Sequence, residues 1–282
     1  MTRLSIVHTT SYTYNASVER SYNEARITPL SSVGQTVLES TVKIWPSSAA
    51  TGNYIDYWGS KVTTFDLQQR HETMKVTATA TVEVDRTQRV AGAASLSWEL
   101  LCSPRVVSGH SEWLTPTPLT AVGDEIQASV AKATAGMPPT EAATAVMAWM
   151  KEEMSYVPGV TGVTTNAEQA WQQRKGVCQD LAHLGIGALR SINIPARYVS
   201  GYIHPRPQAS IGETVAGQSH AWLQWWDGQW RSWDPTNHKP ASDFHVSVAT
   251  GRDFRDVSPV RGILSGGGGT APAVTVEMTR LA

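Results

Sequence analysis

Alternating apolar and polar positions run through the first third of the chain and predict β-strands there. Between residues 74 and 84, every even position carries an apolar side chain, and every odd position carries lysine, threonine or glutamate. A period of two over that length is typical of a strand with one buried and one solvated face. A shorter alternation covers residues 38–44. We therefore predict an antiparallel β-sandwich as the N-terminal domain, over residues 1–88.

The remainder of the chain shows helical signals first and strand signals afterwards. Residues 89–122 are rich in proline and glycine, and we interpret them as a connector. Pro-Pro-Thr-Glu at 138–141 is typical of a helix start, and another helix is predicted over residues 178–190. Strands follow at 196–203, 219–226, 229–234 and 275–278. The predicted fold class is α+β, with residues 123–282 forming a core of helices packed on an antiparallel sheet.

Composition and charge exclude several classes of function. The chain has 282 residues, 41% of them hydrophobic, and a formal net charge of −1 without a basic stripe. Binding to nucleic acid or to a membrane surface through overall charge is therefore not expected. No apolar run is long enough to span a bilayer, and the first residues lack the apolar core of a signal peptide.

The two cysteines, Cys102 and Cys178, give no disulfide framework, and a reduced cytoplasmic location is the simplest expectation. The eight histidines show no HExxH or CxxC-type ligand spacing, so we predict neither a metal nor another cofactor.

Cys178 stands at the predicted start of a helix, directly after Lys175-Gly176-Val177. Free backbone N–H groups and the positive end of the helix dipole favour a thiolate at such a position. The same N–H groups could hold the oxyanion of a tetrahedral intermediate, and Gly176 would allow a tight entry into the helix. A small buried core residue is the alternative for Cys178, and it is our interpretation of Cys102.

His220 and Asp234 lie on two predicted strands that flank an Asp-Gly hairpin signal. A two-residue turn would point the two side chains to opposite faces of the sheet. A three-residue loop beginning at Trp226 would pair Trp225 with Gln229 and place His220 directly opposite Asp234. We predict the three-residue loop. Asp234 would then orient the imidazole and stabilise its cation, while the second ring nitrogen serves a thiol. Taken singly, a structural histidine and a turn-capping aspartate are the alternatives.

Four segments resemble the bacterial transglutaminase-like family, within the papain-like superfamily of Cys-His-Asp enzymes. They are GVCQDLAH at 176–183, IPARYVSGY at 194–202, SHAW at 219–222 and DPTN at 234–237. The resemblance implies a β-rich N-terminal domain followed by a papain-like transglutaminase core. It also implies that Cys178 is the nucleophile, His220 the base and acid, and Asp234 the orienting carboxylate.

The resemblance implies thiol-dependent acyl transfer through a covalent acyl-enzyme. The acyl donor would be a peptide or another amide, and the acceptor would be water or an amine. Amide hydrolysis and transglutaminase-type transamidation use the same catalytic residues, and both remain open. A catalytically silent peptide-binding protein on the same fold is the alternative from another class. A metal hydrolase is a third possibility, which the absence of ligand spacing disfavours.

Four further residues are candidates for binding substrate: Gln179, Asp180, Ser219 and Trp222. Asp180 could bind a substrate amine, or it could interact with the helix dipole. Trp222 could form the wall of an acyl-binding cleft, or it could simply pack in the core.

Overall fold

The computed structural model describes residues 1–86, 95–269 and 271–282, and it confirms the predicted α+β class. Its strands are β1 (Thr2–Ala25), β2 (Gln35–Trp45), β3 (Thr51–Ile55), β4 (Lys61–Leu67), β5 (His71–Val84), β6 (Ser155–Tyr156), β7 (Lys175–Gly176), β8 (Ala196–Ile203), β9 (Thr214–Trp226), β10 (Trp230–Asp234), β11 (Lys239–Pro240), β12 (His245–Gly251), β13 (Val260–Gly266) and β14 (Ala273–Arg280). Its helices are α1 (Trp98–Leu101), α2 (Pro104–Gly109), α3 (Ser111–Leu114), α4 (Asp124–Ala133), α5 (Pro139–Glu153), α6 (Ala167–Gln173) and α7 (Cys178–Ser191), and Phe254–Asp256 forms a 3-10 turn.

The long strand β1 organises the N-terminal region. Its first half pairs antiparallel with β5 on one side and with β14 on the other. Its second half pairs with β4 and with β13. Strands from the two ends of the sequence therefore share one sheet, and the alternating side chains of β5 supply its buried face.

The helices pack on the sheet formed by β8, β9, β10 and β12. Helix α7 is buried along most of its length and lies on β9, where a Cβ atom at Gly185 would come 2.5 Å from the side chain of Leu223. Glycine at this position therefore lets helix and strand approach closely. The three short helices α1 to α3 occupy half of the described part of the predicted connector, whose residues 89–94 lie outside the described residues.

Strand β9 connects the two parts of the molecule. Thr214 to Gly217 pair with β14, and Gln218 to Trp225 pair with β8. The division into domains at 1–88, 89–122 and 123–282 stays a prediction.

The hairpin between β9 and β10 differs from the predicted register. Trp226 pairs with Trp230, so the loop has three residues but begins one residue later than expected. The predicted pairing of Trp225 with Gln229 is therefore wrong. The buried carboxylate of Asp227 accepts hydrogen bonds from Arg231, which fixes the loop around Gly228 at φ +113°.

The corrected register moves Asp234 along the ladder but not to the other face. Because Trp233 pairs with Leu223, Asp234 comes opposite Trp222 and lies diagonal to His220. The prediction that His220 lies directly opposite Asp234 is therefore wrong. A shift of two residues keeps both side chains on one face, since side chains alternate with a period of two.

Candidate active site

Cys178 lies at the start of helix α7, where its side chain is only partly buried. Cys178 is the first helical residue and is partly buried, whereas Cys102 is exposed. The N–H of Val177 donates to Oδ2 of Asp180 at 2.8 Å, which ties the helix entry to its own first turn. A Cβ atom at Gly176 would lie 2.7 Å from the Cβ of Asp180. Gly176 is therefore required by this close approach rather than by a left-handed turn.

His220 brings the predicted catalytic residues together. Its Nε2 lies 2.8 Å from Oδ2 of Asp234, and Cys178 lies close enough to its ring to raise its pKa. With Nε2 on the carboxylate, Nδ1 is the ring nitrogen left for the thiol. His220 is 8% exposed and Asp234 is fully buried, so both groups interact largely outside bulk water.

Asp234 accepts five hydrogen bonds. Oδ2 is contacted by Nε2 of His220, Nε2 of His245 at 3.0 Å and Nδ2 of Asn237 at 2.6 Å. Oδ1 accepts from the backbone N–H groups of Thr236 at 2.9 Å and Asn237 at 3.1 Å. This set occupies all the acceptor directions that a carboxylate offers.

These contacts set the protonation of the pair. Burial alone would raise the pKa of Asp234, but hydrogen bonds from His220, His245 and Asn237 hold it well below its usual range. Burial alone would lower the pKa of His220, but its hydrogen bonds with Asp234 and Cys178 raise it to about 9. The site therefore favours an imidazolium next to a carboxylate at neutral pH.

His245 is the residue of this cluster that the sequence did not reveal. It is fully buried at the start of β12, and its Nε2 lies 3.0 Å from Oδ2 of Asp234. Burial lowers its pKa despite the neighbouring carboxylate. A single histidine at the start of an apolar run carries no sequence signal that separates a site residue from a core residue.

His220, Asp234 and His245 are residue types that ligate metals, and their ligand atoms lie within 4.8 Å of one another. However, both ring nitrogens that face the carboxylate already contact its Oδ2 directly. The arrangement is that of a hydrogen-bonded cluster, because a metal would have to replace both of these short contacts.

The loop at 157–165 is hydrogen-bonded to the first turn of α7, next to Cys178. The hydroxyl of Thr161 donates to Asp180, and the side-chain amide of Gln179 donates to the carbonyl of Val163 at 3.1 Å. Val163 is 63% exposed. Burial and the charge of nearby Cys178 raise the pKa of Tyr156, a half-exposed residue that was not predicted to belong to the site.

The four candidate substrate residues have different surroundings. Asp180 and Gln179 are buried and bonded within the protein, whereas Ser219 is exposed on β9. Trp222 is fully buried, with its ring centroid 5.4 Å from that of His245, and therefore packs behind the site rather than forming a cleft wall. These contacts favour structural roles for Asp180 and Trp222.

In the described parts of the chain, no helix is long and apolar enough to cross a membrane.

Models of known protein families match an N-terminal and a C-terminal region of the chain. The bacterial transglutaminase-like N-terminal region matches residues 4–83, and the transglutaminase-like superfamily matches residues 127–235. An uncharacterised protein of Mycobacterium leprae is 42% identical over 282 residues, which cover 100% of both chains. An uncharacterised protein of Mycobacterium tuberculosis is 28% identical over 275 residues, which cover 93% of this chain and 87% of the other.

A solved structure supports the same fold. The structure of a candidate cysteine protease from Cytophaga hutchinsonii superimposes with a TM-score of 0.77 over 100% of this chain and 91% of that one, at 21% identity. Together with the two matched regions and the M. leprae relative, the shared fold confirms the predicted resemblance: the chain belongs to the bacterial transglutaminase-like family.

Proposed function

We propose that this protein is an enzyme that transfers acyl groups from peptide-like amides through a covalent thioester on Cys178. The observation that supports the proposal is that His220 is hydrogen-bonded to the fully buried carboxylate of Asp234 and lies near the Cys178 thiol, which raises the pKa of its ring. This order matches the division of work in a Cys-His-Asp site, where one ring nitrogen serves the nucleophile and the other is held by the acid.

In the first half of the reaction, the Cys178 thiolate attacks the carbonyl carbon of the amide. A tetrahedral oxyanion forms, and the imidazolium of His220 donates its proton to the departing amine nitrogen. The C–N bond then breaks and leaves a thioester. Asp234 keeps the ring aligned and stabilises its cationic form before the proton is donated.

In the second half, neutral His220 takes a proton from water or from an amine as that acceptor attacks the thioester. The C–S bond breaks and the thiolate of Cys178 leaves. Water gives a carboxylic acid, and an amine gives a new amide. Which acceptor dominates depends on how far the surroundings of Cys178 exclude water.

Intact-mass spectrometry after incubation with a library of peptides and amines tests the proposal. We expect acyl adducts on the wild type and on Cys102→Ala, and none on Cys178→Ala. The mass of the released product separates hydrolysis from transamidation.

Acylation that persists in Cys178→Ala would contradict the proposal. Alkylation of Cys178 and Cys102 at the same rate near neutral pH would favour the peptide-binding alternative instead. A cytoplasmic location, which would keep both thiols reduced, stays a prediction.

A further inference from the structure

We propose that His245 is a positioning residue of this site, which acts on His220 through the carboxylate that the two histidines share. In this role, His245 remains a neutral hydrogen-bond donor, holds Asp234 in place and limits how strongly Asp234 stabilises the His220 cation. The proposal rests on the proposed function of Cys178 and His220, but its physical content can be measured without a substrate.

The tautomer of His245 follows from its contacts. The backbone N–H of Ser242 lies 3.0 Å from Nδ1 of His245, and a backbone N–H can only donate. Nδ1 is therefore the acceptor nitrogen, and Nε2 carries the proton. That N–H faces Oδ2 of Asp234 at 3.0 Å. A neutral ring in this tautomer satisfies both contacts, whereas a protonated ring would place two donors against each other at Ser242.

Both histidines contact the same carboxylate oxygen. Oδ2 of Asp234 lies 2.8 Å from Nε2 of His220 and 3.0 Å from Nε2 of His245. Each hydrogen-bond donor to a carboxylate stabilises the negative charge of that carboxylate. The carboxylate then interacts less strongly with any further proton. Removal of the His245 donor should therefore leave more of that charge to stabilise imidazolium at His220.

The backbone of His245 is held by residues from the N-terminal region. A guanidinium nitrogen of Arg86 donates to the His245 carbonyl at 2.9 Å. Two residues further on, the side chain of Gln35 accepts from the N–H of Ser247 and donates to its carbonyl, both at 2.8 Å. The imidazole of His245 therefore extends from a strand whose backbone is held by hydrogen bonds to Arg86 and Gln35. Such support is expected of a residue that positions another side chain.

The ionisable groups that interact with His220, Asp234 or His245 come from four elements and one turn. They are Cys178 from α7, Asp234 from β10, His245 from β12, Lys239 from β11 and His238 in the turn that follows β10. Replacing His245 by an apolar residue changes one neutral donor in this set and no formal charge. A change in the titration of His220 would therefore report the hydrogen bond itself.

The test uses full-length protein labelled with ¹⁵N-histidine. NMR titration gives the protonation state of His220 and His245 between pH 5 and 10 in the wild type, His245→Leu and His245→Gln. In the wild type, we expect His245 to remain the neutral Nε2–H tautomer and His220 to titrate near pH 9. In His245→Leu, the pKa of His220 should rise by about half a unit to one unit. In His245→Gln, whose amide can donate to Asp234, it should return towards the wild-type value.

His204→Leu is the matched control. His204 is also buried, and its Nδ1 also accepts a backbone N–H, from Arg206 at 3.3 Å. This substitution should leave the titration of His220 unchanged. Circular dichroism and thermal unfolding identify any variant that fails to fold, and His245→Gln then carries the test.

Two results would overturn the proposal: a protonated His245 in the wild type below pH 8, or an unchanged His220 pKa in folded His245→Leu. Failure of the proposed function gives a different result, because an unreactive Cys178 would appear in alkylation measurements while the histidine titrations remained interpretable. If activity is found, the alkaline limb of kcat/KM should shift with the NMR pKa in each variant.

Discussion

Two aspartates flank the candidate active site, and both are completely buried, yet their protonation is driven in opposite directions. Asp234 accepts five hydrogen bonds, and its pKa is held well below the usual range. Among the described residues, Asp180 accepts from Val177 and Thr161 through Oδ2 alone, and its buried Oδ1 has no hydrogen-bond partner. Burial is the main cause that raises the pKa of Asp180.

The comparison indicates that the number of donors, rather than burial, accounts for the opposite pKa shifts of these two acids. Desolvation penalises both carboxylates, and only enough donors can reverse it. The difference fits the two positions. In the proposed mechanism, Asp234 must remain charged to orient the imidazole, whereas Asp180 binds the N–H of Val177 at the start of α7.

The largest effect is expected when each carboxylate is replaced by an amide. Asp234→Asn should lower kcat/KM for acyl transfer by about 10³- to 10⁴-fold, because the amide has no charge to stabilise the His220 cation. Asp180→Asn is the equally buried control, and its loss should be less than about tenfold. Steady-state kinetics on the acyl donor found by mass spectrometry measures both. Equal losses would remove the functional distinction between the two acids.

The pH dependence of stability should separate the same two residues. The folded-state pKa of Asp234 is lowered, so its contribution to stability is present above the unfolded value near 3.8 and is lost as the pH falls below it. The folded-state pKa of Asp180 is raised, so its contribution is present below that value and is lost as the pH rises.

Urea unfolding of the wild type and both Asn variants between pH 3 and 7 measures these contributions. Asp234→Asn should cost several kcal/mol near neutral pH, and its difference from the wild type should shrink in acid. Asp180→Asn should cost about 1 kcal/mol or less at pH 7. If the free energy of unfolding had the same pH dependence in both variants, the surroundings of the two carboxylates would not differ as described.

A smaller effect is expected from a substitution of Gln35, which holds the backbone of the strand that carries His245. Gln35→Leu removes both hydrogen bonds to the Ser247 backbone and should cost about 1–3 kcal/mol in free energy of unfolding. Activity should fall a few-fold, because the strand that carries His245 is less firmly held. Gln68→Leu, at an exposed position directly after β4, is the control and should be nearly silent. If Gln35→Leu changes stability but leaves the His220 titration unchanged, the ring does not depend on this support.

The smallest effect concerns the second donor to Asp180. Thr161→Val removes a hydroxyl that lowers the Asp180 pKa, so that pKa should rise further. The free energy of unfolding should fall by about 1 kcal/mol at pH 7 and recover in acid, where Asp180 is protonated. Thr164→Val, an exposed position in the same loop, provides the comparison. An identical loss at acidic and neutral pH would indicate packing rather than a hydrogen bond to a charged group.

Sequence reasoning performed best where the chemistry is local. The strand at 196–203 has the predicted bounds, the helix that begins at Cys178 ends one residue beyond its predicted end, and His220 and Asp234 share a face. Each of these features follows from side-chain periodicity or from a turn signal within a few residues.

The missed features depend on contacts between distant parts of the chain. The position of the hairpin loop is set by Asp227 bound to Arg231 and Thr140, and the latter lies on another element. His245 approaches Asp234 only because β12 pairs with β8 and is held by Gln35. Periodicity within one segment contains no information about such contacts.

The strand that carries His220 also belongs to the sheet of the N-terminal region, since its first residues pair with β14. A rotation of the N-terminal sheet relative to the helices and strands around Cys178 would break the hydrogen bonds that β9 makes with β14 and β8. It would also displace the imidazole of His220. Access to the thiol is therefore expected to depend on local rearrangement of neighbouring loops, with the body of the molecule acting as a rigid frame. Substrates large enough to require opening of that frame would be excluded.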